Sequence, residues 1–393
     1  MHVLTVNGGS SSIKWALYDA SDDPCRSLGG RITGIGSAHT QFTVLNNSGM
    51  VIDRATATAT SSAAASELMD WLREAISLED ILGVGYRIVH GGPRYMDATC
   101  VSAELIAELR RISPFDPEHL PAQIELVDLF TRLLPSAQHV ACFDTTFHRD
   151  LPSVARLLPL PRRYQERGVR RYGFHGLSYA YLMQALATVT SPATAEGRVI
   201  LAHLGNGSSL AAVHHGRSVD TTMGFTPCSG IPMSTRSGDL DPGLVWYLAR
   251  TENMSAEQFN ELVNKHSGLL GLSEVSGDMR DLEALQDRDN RAAEAIALYC
   301  YQIKKCIGSY AAALGGLDAL VFSGGIGENS AMVRANICQG LHFLGINLDE
   351  ARNQANAPLI SADGAVVEVR VIPTDEEIVI ARETLRLIGA TKS

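Results

Sequence analysis

The 393-residue sequence lacks long apolar runs, paired cysteine motifs and an excess of basic residues. Asp318 interrupts the best apolar candidate, residues 311–322, so no stretch of about 18 apolar residues predicts a membrane span. The seven cysteines are odd in number and form no Cys-x-x-Cys pair. This pattern fits neither a disulfide framework nor a zinc site, and we expect buried, reduced thiols.

The charge balance and the N-terminal residues bear on partners and location. Lys plus Arg number 33 against 43 Asp plus Glu, a formal net charge of −10, which argues against nucleic-acid binding through phosphate contacts. The first residues, Met1 to Val6, contain neither a basic segment nor a long apolar one. We therefore expect no signal peptide, no membrane partner and a cytoplasmic protein.

Two common nucleotide-binding motifs are also missing. The sequence contains no Gly-x-x-x-x-Gly-Lys-Ser/Thr loop and no Gly-x-Gly-x-x-Gly fingerprint. A Walker-type NTPase and a Rossmann dehydrogenase are both disfavoured.

The chain is instead rich in glycine, with 35 residues, and 45% of its residues are apolar. Strand and helix patterns alternate, which predicts an α/β fold, and the length suggests two or three domains. Residues 2–6 and 13–18 predict antiparallel strands around the turn Asn7 to Ser12. Residues 198–204 and 209–214 repeat this pattern around residues 205–208, which predicts two related domains, each opening with a hairpin.

Further elements follow from the apolar pattern between and after the hairpins. An Ala/Thr/Ser run at residues 55–65 leads into a predicted helix at 67–75. We predict the remaining elements as strands at 84–89, 138–143 and 319–322, helices at 103–112 and from Ser330, a glycine loop at 323–329, and a connection between the halves at 151–171.

Turns rich in Gly, Ser and Asn offer backbone N–H groups that can hold anionic oxygens. One such turn is more often an ordinary hairpin. Here two such turns occur at matching places in the two halves of the chain, and a third glycine-rich segment, Ser323 to Asn329, follows a predicted strand. Together these segments indicate an anion or nucleotide site.

Eight segments give a more specific indication, because they occur in order along nearly the whole chain and together resemble the signature segments of acetate kinases. These segments are Val6–Lys14, Arg87–Gly92, Phe143–His148, Arg171–Gly176, His203–Gly207, Ser234–Pro242, Gly324–Asn329 and Thr374–Glu377. The resemblance implies two duplicated ribonuclease-H-like domains with ATP in the cleft between them, and a homodimer. The implied domains are residues 1–150 with 376–393, on the acyl and metal side, and residues 151–375, on the nucleotide side.

The implied reaction is reversible phosphoryl transfer from ATP to acetate, giving acetyl phosphate and ADP with Mg²⁺, or Mn²⁺, as cofactor. By resemblance, Asp144, His175 and Arg236 are catalytic, and Asn7 and Glu376 hold the metal. The resemblance assigns substrate binding to Arg87, Val89 and Phe174, and nucleotide binding to Ser12, Lys14, His203, Leu204, Gly205, Asn206, Gly207, Asp278, Met279, Arg280, Gly325, Ile326, Gly327, Glu328 and Asn329.

Several of these residues have an ordinary structural alternative. Lys14 fits a solvated strand lysine, Arg87 a structural ion pair, and His175 a buried, hydrogen-bonded histidine. Glu376 fits the start of a helix, for which Thr374 and Glu377 have the spacing of a capping box.

The family assigns Asp144 as a general acid or base. Acetate is already ionised at neutral pH, so no proton has to be removed before it attacks. We therefore favour a positioning or metal-directed role for Asp144.

Two segments depart from the family pattern and leave the acyl substrate open. Glu118, within Asp116 to Pro121, stands where the acyl pocket is expected to be apolar, and Ser234 replaces a usual glycine. Acetate is the first candidate, and propionate or another short-chain acid is the second. A non-catalytic, actin-like ATP switch is the alternative of another class.

Overall fold

The computed structural model describes residues 1–9, 12–37, 39–46, 49–56 and 58–390. Within these ranges the strands are β1 His2–Gly8, β2 Ser12–Asp19, β3 Arg26–Thr33, β4 Thr40–Asn46, β5 Gly49–Thr56, β6 Ile81–Ile88, β7 Thr99–Cys100, β8 Gln138–Phe143, β9 Arg198–Leu204, β10 Ser208–His214, β11 Arg217–Thr221, β12 Ala319–Ser323 and β13 Glu368–Val371.

Helices connect and cover these strands. They are α1 Ser61–Ala75, α2 Ala103–Ile112, α3 Leu120–Leu133, α4 Ser153–Arg156, α5 Arg162–Glu166, α6 Gly176–Val189, α7 Pro192–Ala195, α8 Gly243–Thr251, α9 Ala256–Lys265, α10 Gly268–Ser273, α11 Met279–Leu285, α12 Asn290–Leu314, α13 Gly324–Asn329, α14 Ala331–Cys338, α15 Glu350–Gln354 and α16 Glu376–Ala390.

The chain divides into two compact units, which we describe separately. Unit 1 comprises residues 1–146 and 375–393, and unit 2 comprises residues 147–374. Unit 1 contains a sheet of order β5-β4-β3-β2-β1-β6-β8-β7. Strand β1 pairs antiparallel with β2 and parallel with β6, and β6 pairs parallel with β8.

Unit 2 repeats the central part of this topology. Its sheet has the order β11-β10-β9-β12-β13. Strand β9 pairs antiparallel with β10 and parallel with β12, and β12 pairs parallel with β13. The order β3-β2-β1-β6-β8 in unit 1 is therefore matched strand for strand, which confirms the predicted α/β class and the two hairpins.

Apolar residues of the central strands form the cores. In unit 1, α16 packs against β1, β6 and β8, and its buried Ile380, Ala381 and Thr384 face the sheet. In unit 2, α12 packs on β9 and β10 and buries Tyr299, Ile303 and Ile307. These helices hold the strand ends in fixed positions, and the candidate site is built on those ends.

Three local predictions were wrong. Helix α1 begins at Ser61 rather than Glu67, because the Thr60 hydroxyl accepts the Ala63 N–H and the alanines of the low-complexity run favour a helix. The segment Gly324–Asn329 is a short helix and not a loop. Ser330, with non-helical backbone, ends it and caps α14 by accepting the Val333 N–H.

The start of α16 also differs from the predicted Thr374–Glu377 capping box. The Asp375 carboxylate accepts the Ile378 N–H at 3.1 Å, so Asp375 is the capping residue. The Thr374 hydroxyl lies instead 2.7 Å from the Ser178 hydroxyl in unit 2.

The cysteines are free thiols, and burial differs among them. Cys142, Cys300 and Cys338 are buried as expected, whereas Cys25 is exposed. Among the described helices, none combines the length and apolar character needed to cross a bilayer.

Candidate active site

In unit 1, three predicted site residues lie at the carboxyl ends of adjacent parallel strands. Asn7 is near the end of β1, Arg87 near the end of β6, and Asp144 directly after β8. Parallel strands bring their carboxyl ends to one edge of the sheet, which is where α/β proteins place ligands. The topology therefore brings together residues that are far apart in the sequence, since Asn7 and Asp144 are separated by 137 positions.

The Arg87 guanidinium is the centre of this cluster. Its Nε and Nη2 donate to the two Asp144 carboxylate oxygens at 3.2 and 2.5 Å. Its Nη1 donates to Asn7 Oδ1 at 3.3 Å. The Asp144 side chain is fully buried, so this forked, charge-assisted pair compensates its charge. Arg87 thus forms the ion pair that was predicted as its structural alternative, and this pair is itself part of the site.

Glu376 reaches the same cluster from the first turn of α16. Its Oε2 accepts a hydrogen bond from Asn7 Nδ2 at 3.4 Å and lies 3.6 Å from Arg87 Nε. Because Asp375 caps the helix, the Glu376 carboxylate is available for this contact. The helix-start and site interpretations of Glu376 therefore coexist.

Negative charge exceeds positive charge around Arg87. Burial, and to a lesser extent Glu376, raise the pKa of Asp144 to about 6, against the opposing effects of Arg87 and His119. Burial and Glu376 also raise the pKa of Glu377, against the effect of Lys14. Three carboxylates thus face two cationic side chains, and the amide and carboxylate oxygens of Asn7 and Glu376 are of the kind that Mg²⁺ or Mn²⁺ prefers. The donor set fits a divalent cation.

Ser12 and Lys14 lie on β2, next to the β1–β2 turn. The Gly9 N–H donates to Ser12 O at 2.8 Å, which closes the turn. Lys14 is exposed and stands directly across from Asn7 in the hairpin register. Ser10 and Ser11, which belong to the predicted turn, lie outside the described residues.

The segment singled out for the acyl pocket, residues 116–121, leads into the first turn of α3. His119 Nδ1 is 2.8 Å from the carboxylate of buried Asp116, and Glu118 is half-buried. Val89 is buried, and its N–H donates to Gln123 Oε1 at 2.9 Å. Gln123 Nε2 donates in turn to Gly8 O at 3.3 Å, so this amide links the ends of β1 and β6.

In unit 2, the turn Gly205–Gly207 joins β9 to β10, and two predicted catalytic side chains approach it. A Cβ atom at Gly207 would lie 3.1 Å from His175 Nε2 and 3.6 Å from Arg236 Nη1. A Cβ there would press on the His175 ring and touch the Arg236 guanidinium, so glycine lets both groups lie close to the turn. The structure therefore brings His175 and Arg236 together at the glycine turn.

The Arg236 loop is attached to this turn by its backbone. The Ser234 N–H donates to Asn206 O at 3.2 Å, and the Ser234 hydroxyl to Asn206 Oδ1 at 3.4 Å. Arg236 Nη1 donates to Pro227 O at 3.3 Å. Ser234, the departure from the family pattern, thus helps to hold the loop on the turn.

His175 is the residue before α6 and has a left-handed backbone, with φ of 58°. Its ring lies against the ring of His203 on β9, with centroids 4.3 Å apart. The preceding Phe174 is buried, and its carbonyl accepts from Nε2 of buried His148 at 3.0 Å. Burial lowers the pKa of His148 to about 4, so His148 anchors this segment as a neutral ring.

Helix α13 follows β12 and contacts the end of β9. Gly324 has a φ of +75°, and a Cβ there would lie 2.6 Å from Leu204 O. Glu328 Oε1 accepts the Gly324 N–H at 2.9 Å and the Thr374 N–H at 3.2 Å. Glu328 therefore caps its own helix, a role that its sequence position did not suggest.

The other residues of α13 have mainly structural partners. Asn329 Nδ2 donates to Gly325 O at 2.9 Å, and Ile326 packs on the core of unit 2. Buried Arg334 donates to Gly327 O at 2.9 Å. Gly325 N would lie 3.7 Å from a Cβ at Gly205, so Gly325 is the α13 residue nearest to the glycine turn among these contacts.

Residues 278–280 begin α11. Asp278 caps the helix by accepting the Arg280 N–H at 2.9 Å, and it forms an exposed ion pair with the Arg280 guanidinium. Met279 is buried. A Cβ at Gly277 would lie 2.8 Å from Ser234 O, which places this segment beside the Arg236 loop.

Some residues around the site were not predicted. His119 lies in the segment that was noted only for Glu118, and Glu377 was considered only as a cap. Ser209 falls just after the Gly205–Gly207 motif, and its role depends on contacts with α6. Gln123 carries no signal in the sequence, because a lone glutamine in a helix is ordinary.

Comparison with known proteins adds an independent observation. The sequence model of the Acetokinase family matches residues 2–382. A propionate kinase of Citrobacter rodentium is 45% identical over 392 residues, covering 98% of this chain and 96% of that protein. An acetate kinase of Rhodopseudomonas palustris is 44% identical over 391 residues, with 98% of each chain covered. The crystal structure of a propionate kinase from Francisella tularensis has a TM-score of 0.92 at 34% identity, covering 98% of this chain and 99% of that one.

Proposed function

Because the chain belongs to the acetokinase family, a family of phosphotransferases with a carboxyl group as acceptor, we propose that it transfers the γ-phosphoryl group of ATP to acetate. The observation that carries the proposal is the Arg87 fork on Asp144 at the edge of the unit 1 sheet. In unit 2, His175 and Arg236 at the Gly205–Gly207 turn support it. The products are acetyl phosphate and ADP, and the reaction is reversible.

On the acyl side, we propose that Arg87 binds the carboxylate of the acid. Guanidinium groups bind carboxylates through paired hydrogen bonds, and the contacts to Asp144 and Asn7 fix the plane of this one. A fixed acceptor supports catalysis because phosphoryl transfer depends on positioning of the two reactants. Val89 and the 116–121 segment line the acyl part of this proposed site.

Asp144 acts in this proposal through Arg87. Both of its oxygens accept from the guanidinium, and the acid needs no base because it is already ionised at neutral pH. Asp144 is therefore a positioning residue.

On the phosphoryl side, we propose that Arg236 and His175 bind the transferring group. A loose phosphoryl-transfer transition state spreads negative charge over its equatorial oxygens, which donors at fixed positions stabilise. We propose that the remaining phosphates and the nucleoside are held by the backbone N–H groups of residues 203–207 and 325–329 and by the 278–280 segment. Lys14 and Ser12 are proposed phosphate contacts.

We propose Mg²⁺, with Mn²⁺ as a substitute, as the cofactor. Asn7 and Glu376 would hold it, since both offer oxygen atoms where carboxylates outnumber cations. The ion would neutralise phosphate charge during transfer.

The acyl preference is tested with a panel of acids. Purified protein is incubated with ATP, Mg²⁺, hydroxylamine and an acid of two to four carbons, and the acyl hydroxamate is measured. We expect the largest kcat/KM with acetate. Absence of hydroxamate with every acid would overturn the proposal.

Propionate is the second candidate substrate, and a specific observation favours it. Several relatives with 43–45% identity are propionate kinases. Glu118 also stands where an apolar residue is expected in the acyl pocket, which leaves the choice between the two acids open. A higher kcat/KM with propionate in the same panel would select this alternative.

We also propose a cytoplasmic homodimer. In α8 none of the nine residues is buried, although Val245, Trp246 and Tyr247 are apolar or aromatic. The same unit has a groove of about 790 Å³ lined partly by Leu240, Leu272 and Leu298. An exposed apolar helix and a groove with several leucines on one unit suit a self-complementary interface with a second copy of the chain.

A further inference from the structure

One buried hydroxyl group closes the glycine turn between β9 and β10. Ser208, the first residue of β10, is fully buried, whereas Asn206 in the turn is exposed. Ser208 Oγ accepts the Gly205 N–H at 3.1 Å and donates to the Gly205 carbonyl oxygen at 2.9 Å. Both directions are fixed, because a backbone N–H only donates and a carbonyl only accepts. Ser208 therefore binds both polar backbone groups of Gly205.

Tyr299 contacts this hydroxyl from the long helix α12. Its side chain is fully buried, and its hydroxyl oxygen lies 2.9 Å from Ser208 Oγ. A buried phenol needs a hydrogen-bond partner, and Ser208 supplies one. The Tyr299 ring packs in the same core cluster as Leu204 and Leu210, which lie on the two strands that the turn joins. Helix α12, which packs on β9 and β10, thus reaches the turn through the contact of Tyr299 with Ser208.

This contact decides which N–H groups of the turn can bind an anion. The Gly205 N–H is already bonded to Ser208, so an anion at the turn has to be bound by the N–H groups of Asn206 and Gly207. A turn whose conformation is fixed before the ligand arrives binds it more tightly, because less conformational entropy is lost on binding. The buried hydroxyl group thus fixes the base of the turn and leaves its exposed part for the ligand.

We propose that the Ser208–Tyr299 pair fixes the conformation of the Gly205–Gly207 turn and thereby preorganises it for a phosphate group. Ser208 and Tyr299 are positioning residues that act through the backbone of the turn. The assignment of this phosphate to ATP rests on the proposed function. The fixing of the turn by the pair does not.

A double-mutant cycle of unfolding tests the pair without any ligand. Tyr299→Phe should lower the denaturant midpoint of the wild type, because Ser208 loses a partner. Ser208→Ala should lower it further, because the Tyr299 hydroxyl is then left buried without its partner. Adding Tyr299→Phe to Ser208→Ala removes that hydroxyl, so the double variant should be more stable than Ser208→Ala. Additive losses in the double variant would overturn the pairing.

Hydrogen exchange of the Gly205 amide, measured by NMR of the full chain without ligand, tests the contact of Ser208 with the turn. We expect slow exchange in the wild type and at least tenfold faster exchange in Ser208→Ala. Tyr86→Phe is the control, since it removes another buried phenol hydroxyl, 2.6 Å from His139 Nδ1 in unit 1, and should leave the Gly205 exchange unchanged. Equal exchange in the wild type and Ser208→Ala would overturn the inference.

Kinetics give the functional measurement. Ser208→Ala should raise KM for ATP about tenfold, the effect of one lost hydrogen bond, and leave KM for the acid within about twofold. The double variant should keep the raised KM for ATP although its stability recovers, because the Ser208 hydroxyl is still absent from the turn. A merely structural role would restore KM together with stability. An unchanged KM for ATP in Ser208→Ala, or a lower one through the freed Gly205 N–H, would also overturn the proposal.

The two proposals fail in different ways. If the protein makes no acyl hydroxamate but the unfolding cycle and the Gly205 exchange give the expected results, the proposed function is wrong and the role of the pair in fixing the turn stands. If hydroxamate forms and KM for ATP does not respond to Ser208→Ala, the inference alone is wrong.

Discussion

At the scale of single residues, the proposed activity depends on side chains that fix one another's positions through hydrogen bonds and ion pairs. Arg87 contacts Asp144, Asn7 and Glu376, and each of these comes from a different element. The sequence identified all four residues through motif resemblance. It could not show that Asp144 is fully buried against the arginine, because this depends on the pairing of β6 with β8.

A double-mutant cycle tests whether Asp144 acts through Arg87. We expect Asp144→Asn and Arg87→Lys each to lower kcat/KM for the acid by about 10²-fold, because misplacing a reacting group by about 1 Å has that effect. The double variant should be little worse than either single variant, with a coupling energy of about 1–3 kcal/mol. Steady-state kinetics of the four proteins measure it.

Arg198→Lys is the matched control for that cycle. Arg198 forms a similar forked pair with Asp318 in unit 2, with distances of 2.9 and 2.5 Å, at the opposite end of β9 from the glycine turn. Its substitution should leave kcat/KM unchanged. Fully additive losses from Asp144→Asn and Arg87→Lys would instead indicate that Asp144 acts independently, for example as a proton acceptor.

At the scale of elements, strand ends and the turns after them position the site in both units. The glycine and serine turns allowed the hairpins to be predicted, and β9 and α2 have the predicted bounds. The helix in Gly324–Asn329 was not predictable from glycine-rich sequence. It forms because Glu328 caps its start and Arg334 binds carbonyls at its end, contacts that only the folded chain provides.

Gly324 tests the importance of the contact between α13 and β9. Gly324→Ala should lower stability and raise KM for ATP severalfold, because its Cβ would meet Leu204 O at 2.6 Å and displace the helix. Gly364→Ala is the control, since Gly364 has a similar φ of +78° with open space around it. The control should cost only about 1–2 kcal/mol of backbone strain and leave KM unchanged. Equal KM values in the two variants would contradict a role for the close approach.

His148 makes the stability of unit 2 depend on pH. Its pKa is about 4 in the folded protein against 6.5 for an unperturbed histidine. At a pH between these values only the unfolded chain binds the proton. The contribution of neutral His148 to the free energy of unfolding is therefore complete above pH 6.5 and is lost as the pH falls toward 4. The loss amounts to about 3 kcal/mol.

Denaturant unfolding at pH 7 and pH 5 measures this effect. The wild type should lose more stability on acidification than His148→Gln, and the difference between the two proteins isolates the histidine from other titrating groups. Parallel pH dependences of the two proteins would contradict the assignment.

At the scale of the whole molecule, the chain is two copies of one sheet topology with different additions. The order β3-β2-β1-β6-β8 recurs as β11-β10-β9-β12-β13. Alternating patterns and the repeated hairpin sufficed to predict this duplication. The exposed helix α8 was not anticipated, since an apolar helix ordinarily packs inside its own chain and nothing local marks it as exposed.

The exposed face of α8 leads to a prediction about assembly. Wild-type protein should sediment with twice the mass of the chain, and Trp246→Glu should shift it toward the single-chain mass by placing a charge in the apolar interface. Val154→Glu is the control, because Val154 is an exposed apolar residue of unit 2 on another helix. A monomeric wild type, or equal masses for both variants, would contradict the proposed interface.

The most direct test of the central claim is the ratio of ADP to acyl hydroxamate formed with ATP, Mg²⁺, hydroxylamine and acetate or propionate. Phosphoryl transfer to a carboxylate predicts one ADP for each hydroxamate, and no ADP above background without acid. ADP release without hydroxamate, whether or not acid is present, would contradict the account and indicate an ATP switch instead.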